Sequence, residues 1–429
     1  MNIQFSTKKS FAKKLDANDP LKNFRKQFLI PKSEDGKDLI YLCGNSLGLQ
    51  PKAVKKSILQ ELKDWKQLGV EGHFAAKFPW KDYHEFLTEP MARIVGAKPE
   101  EVVVMGTLTA NLHLLMVSFF NPTKEKYKII IEKDAFPSDK YAVVSQLKFH
   151  GFDSSKGLIE LSSRSGNPVI PTQEILETIE NVGNETAMIL LGGVNYYSGQ
   201  AFEMEKITKA AHAKGIVVGF DLAHAAGNLK LDLHNWGVDF AAWCGYKYLN
   251  GGPGGVAGIF VHQKHIQNKN INRFAGWWGH DKNSRFKMGP EFVPIPTAES
   301  WQLSNAPVMA MACLRPSLEL FEEAGMERLN EKSELLTTYL EFLLQPLLPK
   351  LHLELITPAD FSQRGCQLSL RTLHNGIEIF NLLALNGVIC DWREPDVIRI
   401  AAVPMYNSFM DCWKFASILK ALVEIKSKN

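Results

Sequence analysis

The sequence predicts an α/β fold, with a mostly parallel sheet covered by helices on both faces and a smaller α/β domain after it. Two observations carry this. Between residues 101 and 261, short apolar runs rich in β-branched residues alternate with helical stretches, the order that gives parallel strands joined by helical crossovers. Beyond a long helical region beginning near Val308, a second set of strand-like and helical segments follows. A chain of 429 residues is long enough for one large core and a smaller one.

Composition narrows the function. Apolar residues make up 45% and charged residues 22%, with a formal net charge of +3 and no basic block. Neither nucleic-acid binding nor a membrane-surface patch is indicated. No apolar run approaches the roughly 18 residues of a transmembrane helix, and the first twenty residues lack the apolar stretch of a secretory signal. The six cysteines, at 43, 244, 313, 366, 390 and 412, are scattered, with neither a CxxC pair nor metal-ligand spacing. Reduced thiols, a cytoplasmic location and no metal are the expectation.

Residues 1–50 read as an N-terminal arm that ends in the turn-rich GNSLGLQP. Residues 51–310 read as the large domain and 311–429 as the small one. Pro51 opens a helix that runs to the glycine at 69. His73 lies in a glycine-flanked loop, where a structural role competes with ligand contact. Glu101 to Met105 is a strand, and Gly106-Thr107-Leu108-Thr109 leads from it into an apolar helix over Leu112 to Phe120. A strand, a Gly/Thr turn and a helix start make an anion site suited to a cofactor phosphate, although plain capping by Thr107 or Thr109 explains the residues equally well. Lys128 to Glu132 is the next strand. It leads to Phe136, which could stack on a flat ring or simply be core. Helices over Gln173 to Asn181 and Lys206 to Lys214 flank a strand over Ala187 to Leu191. The loop after that strand presents Tyr197, a plausible phosphate donor.

The chemistry concentrates between Gly215 and Gly258. One apolar run, Ile216 to Phe220, ends in Asp221, with His224 just beyond; another, Phe240 to Trp243, ends in Tyr246-Lys247 and a glycine-rich exit. Ligands of open α/β sheets bind at the carboxyl ends of the strands, so an acid and a lysine face one crevice. That pair suits pyridoxal phosphate: the lysine holds the aldehyde as a Schiff base, and the aspartate keeps the ring nitrogen protonated. Beyond Val261, adjacent Trp277 and Trp278 in a glycine-flanked loop cover a ligand or a subunit partner. In the small domain, Cys366 to Arg371 and Val397 to Ala401 read as strands, Ile377 to Asn386 and Phe409 to Ile425 as helices. Arg399 in an apolar strand fits either a carboxylate clamp or a solvated sheet edge.

Taken together, GNSLGLQPK, GTLTANLHLLMVSFF, FPSDKY, VNYYSGQ, GFDLAHAAGN, YKYLNGGPGG, GWWGH, RFKM, WQLSNAP and IRIAAVPMYNSF follow one another in the order found in a known family. The chain resembles the kynureninases, pyridoxal-phosphate enzymes with an aminotransferase-like large domain, over nearly its full length. The resemblance implies cleavage of L-kynurenine or 3-hydroxy-L-kynurenine by water to anthranilate or 3-hydroxyanthranilate and L-alanine, in tryptophan catabolism and NAD biosynthesis. It implies that Lys247 forms the Schiff base, that Asp221 partners the ring nitrogen and that His224 lies close by. Leu108, Thr109, Tyr197 and Tyr246 would serve the phosphate, and Phe136, Pro137, Ser138 and Asp139 the ring. Tyr246 would also assist catalysis. Trp277 and Asn305 would reach the cofactor from the second subunit of a homodimer. Ser46, His73, His280, Ser304 and Asn305 would line the substrate, and Arg399 would take its α-carboxylate. Two positions depart from the family pattern: Gly192 stands where some relatives carry serine, and Ala306 where proline is frequent. The competing readings are a cysteine desulfurase, with Cys366 the only cysteine near a suitable place, and a cofactor-binding protein without catalysis.

Overall fold

The computed structural model describes residues 4–268 and 270–426. Its centre is a seven-stranded sheet. From edge to edge the strands are Val102–Val104, Gly258–Val261, Phe240–Trp243, Val217–Asp221, Thr186–Gly192, Lys128–Glu132 and Leu158–Leu161. Gly258–Val261 is antiparallel to both neighbours, and the pairings from Phe240–Trp243 outward to Leu158–Leu161 are parallel. The sheet is therefore mostly parallel, as expected.

Burial explains why these runs are apolar throughout. Successive side chains of a strand point to opposite faces. Ile130, Ile189 and Phe220 pack into a core on one face, whereas Ile129, Ile131, Met188 and Leu190 pack into a separate core on the other. Helices cover both faces, so neither set can be polar. Leu158–Leu161 lacks such an unbroken apolar run because it is an edge strand with Glu160 exposed. The helix Pro137–Phe149 was also hidden, since its apolar residues follow no clean stripe. The helix expected from Leu112 begins at Leu108. Gly106, at φ +55°, makes the turn that allows the early start.

Helices Val308–Ala324 and Met326–Leu344 lead to a four-stranded antiparallel sheet in the order Leu353–Leu355, Gln367–Thr372, Val397–Ala401, Asp391–Arg393. This sheet and helix Phe409–Lys426 enclose another core. Residues from the N-terminal stretch enter that same core: Ala12, Ile40 and Leu42 are part of it, and Ile40–Tyr41 pairs in parallel with Val388–Ile389. A buried ion pair, Lys332 to Asp19 at 2.7 Å, ties the stretch down further.

Candidate active site

The parallel strands deliver their last residues to one cavity. Glu132, Gly192 and Asp221 each end a strand, and the register places Gly192 directly beside Asp221. Lys247 follows Phe240–Trp243. These four residues, with Thr107, Leu108, Thr109, Phe136, Ser138, Asp139, Asn195, Tyr196, His224 and Tyr246, line a cavity of about 210 Å³. The N-terminal GNSLG loop braces the lysine from behind. Gly48 donates its N–H to the Tyr246 carbonyl at 2.8 Å, and a side chain there would come within 2.3 Å of the Lys247 carbonyl oxygen.

Lys247 Nζ lies 3.0 Å from His224 Nε2 and 5.9 Å from the Phe136 ring centroid. His224 is buried, and burial together with the positive charge of Lys247, Arg399 and Arg393 holds its pKa well below the ordinary value. It is therefore neutral at neutral pH and accepts a hydrogen bond from the amine. Three carboxyls gather opposite. Asp221 Oδ1 accepts the Ala223 N–H at 2.7 Å, and Asp139 is hydrogen-bonded to Asp221. Burial and the Asp221 charge raise Asp139 well above the carboxylate range. Burial also raises Asp221, but the nearby Lys247 charge opposes that. Glu132 accepts the Gly192 N–H at 3.0 Å, and burial pushes it up to about 7. Tyr246 is pushed up to about 12, again by burial. Its hydroxyl stays protonated and can donate.

Two helix starts, at Leu108 and Pro137, meet at the opposite wall. Thr109 Oγ1 and Ser138 Oγ are 2.8 Å apart. Unpaired N–H groups, two hydroxyls and two positive dipole ends suit a phosphate dianion. The His224 Nδ1 and Asp139 Oδ1 atoms are buried without partners, as they would be in a site completed by a polar ring. The cavity fits pyridoxal phosphate: an amine, an anionic carboxylate, an aromatic cover and a phosphate cradle in one enclosure.

Arg399 is buried on an interior strand of the small sheet, which removes the solvated-edge alternative. It pairs with Asp391 at 2.6 Å, contacts Ser46 Oγ at 3.2 Å and donates to the Tyr196 carbonyl at 2.8 Å. Ser46 therefore belongs with the arginine. Tyr197 is turned away: its hydroxyl donates to Asp396, and it lines a neighbouring cavity. Pro137 is the first residue of its helix.

The remaining expected residues do not line the central cavity. His73 packs against Trp80 at 5.6 Å, and neighbouring Phe74 approaches Phe286, which touches Trp277. Trp277 and His280 line a shallow surface hollow, and Ser304 and Asn305 lie on an exposed loop. Glu132, Tyr196 and Asp391 were missed in the sequence. Glu132 ends an apolar run just as Asp221 does, and that signal was available. Cys366 is fully buried at a strand start, and burial pushes its thiol up to about 12. It has neither the mobility nor the acidity of a catalytic thiol.

Known proteins resemble this chain throughout. Kynureninases of Myxococcus xanthus and Koribacter versatilis are each 56% identical to it, covering 97% and 96% of this chain and 97% of their own length. The family described as Kynureninase C-terminal domain matches residues 329–419. A cysteine desulfurase structure from Thermococcus onnurineus superposes with a TM-score of 0.73 over 96% of this chain and 98% of its own, at 16% identity. That last likeness speaks to fold alone.

Proposed function

This chain belongs to the kynureninase family, and from that premise we propose that it cleaves the Cβ–Cγ bond of L-kynurenine, or its 3-hydroxy form, with water. The products are anthranilate or 3-hydroxyanthranilate and L-alanine, within tryptophan breakdown and the supply of NAD. The observation that carries the reading is the meeting of Lys247, Asp221 and a double helix-start anion cradle in one cavity. The buried Cys366 argues against the desulfurase alternative.

Bound pyridoxal phosphate supplies an electrophilic aldehyde and a cationic ring that takes up electrons from the substrate's carbons. The chain does the rest. Lys247 holds the aldehyde carbon and, once released, moves the α-proton. Neutral His224 accepts from the amine and points it into the cavity. Asp221 holds a proton on the ring nitrogen, and Asp139 is hydrogen-bonded to Asp221. Phe136 covers the ring, while Leu108, Thr109 and Ser138 hold the phosphate. Tyr246 donates a proton where negative oxygen develops. Arg399 takes the α-carboxylate, with the Ser46 hydroxyl bridging it to Asp391.

Trp277, Asn305, His73, His280 and Ser304 act from the second subunit of a homodimer, each completing the partner's cavity. Support comes from Phe74, Phe286 and Trp277, which are exposed and packed against one another, as clustered apolar side chains at an association surface are. No described helix is long and apolar enough to cross a membrane, and the six cysteines are free, as suits a cytoplasmic enzyme. The test is product formation from L-kynurenine, with sedimentation of the holoenzyme to read the dimer.

A further inference from the structure

We propose that Arg393 is a second carboxylate-binding residue, which with Arg399 fixes the substrate's α-carboxylate, and that Asp391 sets the charge of that site. The inference rests on the reading above that the cavity takes an α-amino acid.

Strand register creates the cluster. Asp391 stands directly opposite Arg399, and Arg393 opposite Val397. Alternate residues of a strand share a face, so Asp391, Arg393 and Arg399 project to the same side. Their groups converge on one oxygen. Asp391 Oδ2 accepts from Arg399 Nη2 at 2.6 Å and from Arg393 Nη2 at 3.0 Å, and the Ser46 hydroxyl donates to it as well. The cluster is joined to the wall of the catalytic cavity through Tyr196, a lining residue whose carbonyl accepts from Arg399 at 2.8 Å. Both guanidinium charges also reach His224, the contact of Lys247.

Charge counting shows why Arg399 does not suffice. Arg399 and Asp391 are both buried, with side chains 1% and 9% exposed, and together they are neutral. A neutral pair attracts an incoming anion weakly, since the aspartate repels it at a distance similar to that at which the arginine attracts it. Arg393 brings the cluster to +1, and one substrate carboxylate brings it to zero. Donors remain for that carboxylate: the Nε atoms of Arg393 and Arg399 are both buried without a partner. A buried guanidinium N–H ordinarily has an acceptor, and the substrate carboxylate is the acceptor of the right charge and shape.

The test uses the holoenzyme and the variants Arg393→Gln and Asp391→Asn/Arg393→Gln. Calorimetry reads the binding of L-alanine and of ethylamine, its analogue without a carboxylate. Kinetics read KM and kcat for L-kynurenine. Arg393→Gln should weaken L-alanine at least about tenfold and leave ethylamine unchanged, and should raise KM far more than it lowers kcat. The double variant restores the +1 charge and should recover much of the L-alanine affinity, which a merely structural Arg393 would not predict. Unchanged L-alanine binding, or equal weakening of both ligands, overturns the proposal. Absence of L-kynurenine cleavage by the parent enzyme would sink the substrate reading instead, and the L-alanine titration would still decide the role of Arg393.

Discussion

Lys247 Nζ lies 3.0 Å from His224 Nε2, and the buried His224 is held neutral partly by the charge of that same amine. The pair places the nucleophile at the cavity wall with an acceptor behind it. Replacing Lys247 with alanine removes the nucleophile and leaves the phosphate cradle intact. Lys247→Ala should lose turnover, and borohydride reduction should no longer attach the cofactor to the chain. Mass spectrometry after reduction checks this; attachment at another lysine would contradict the assignment.

Asp221 belongs to a buried acidic pair with Asp139, in which the Lys247 charge favours its anionic form against burial. Asp221→Ala should retain part of the bound cofactor through Lys247 and the phosphate contacts. It should lose on the order of a hundredfold or more in kcat, since a neutral ring accepts electrons poorly. Cofactor content by absorbance, beside kcat, separates the two effects.

Glu132 gives a pH signature in the cofactor-free protein. Its folded pKa is raised to about 7 by burial, above the ordinary carboxylate value, so the folded state binds its proton more tightly than the unfolded chain. The stabilisation is fully present below the unfolded pKa and is lost as pH rises toward 7. The loss is on the order of 3 kcal/mol. Glu132→Gln keeps an acceptor for the Gly192 N–H and removes the titration. Denaturant unfolding at pH 5 and pH 8 should show a smaller decline for the variant; parallel declines would exclude Glu132 as the source.

What the sequence revealed depended on how a signal is written. Strands such as Lys128–Glu132 and Phe240–Trp243 were legible because burial on both faces makes their interior residues apolar. Leu158–Leu161 was not, because an edge strand carries polar residues. Asp221 and Lys247 were legible as charges ending apolar runs. Their electrostatic partners were not, because the contact of Asp139 with Asp221, and that of Asp391 with Arg399, is made by tertiary packing and strand register. Tyr197 shows the converse: a tyrosine on the expected loop whose hydroxyl is taken by Asp396.

Arg399→Ala should raise KM for L-kynurenine by about a hundredfold with a smaller loss in kcat, since it removes a charge-assisted contact to a group that does not react. It also leaves buried Asp391 with Arg393 as its remaining ion-pair partner, so the variant should melt at a lower temperature than the parent. Steady-state kinetics and a thermal melt check both halves.

The most direct test of the central claim is to mix the purified protein, pyridoxal phosphate and L-kynurenine, and to follow anthranilate by its fluorescence with L-alanine measured alongside. Equal amounts of anthranilate and L-alanine, formed only with Lys247 intact, are the expected result; 3-hydroxy-L-kynurenine run in parallel ranks the two substrates. A protein that binds the cofactor through Lys247 yet forms neither anthranilate nor 3-hydroxyanthranilate would contradict the proposed reaction.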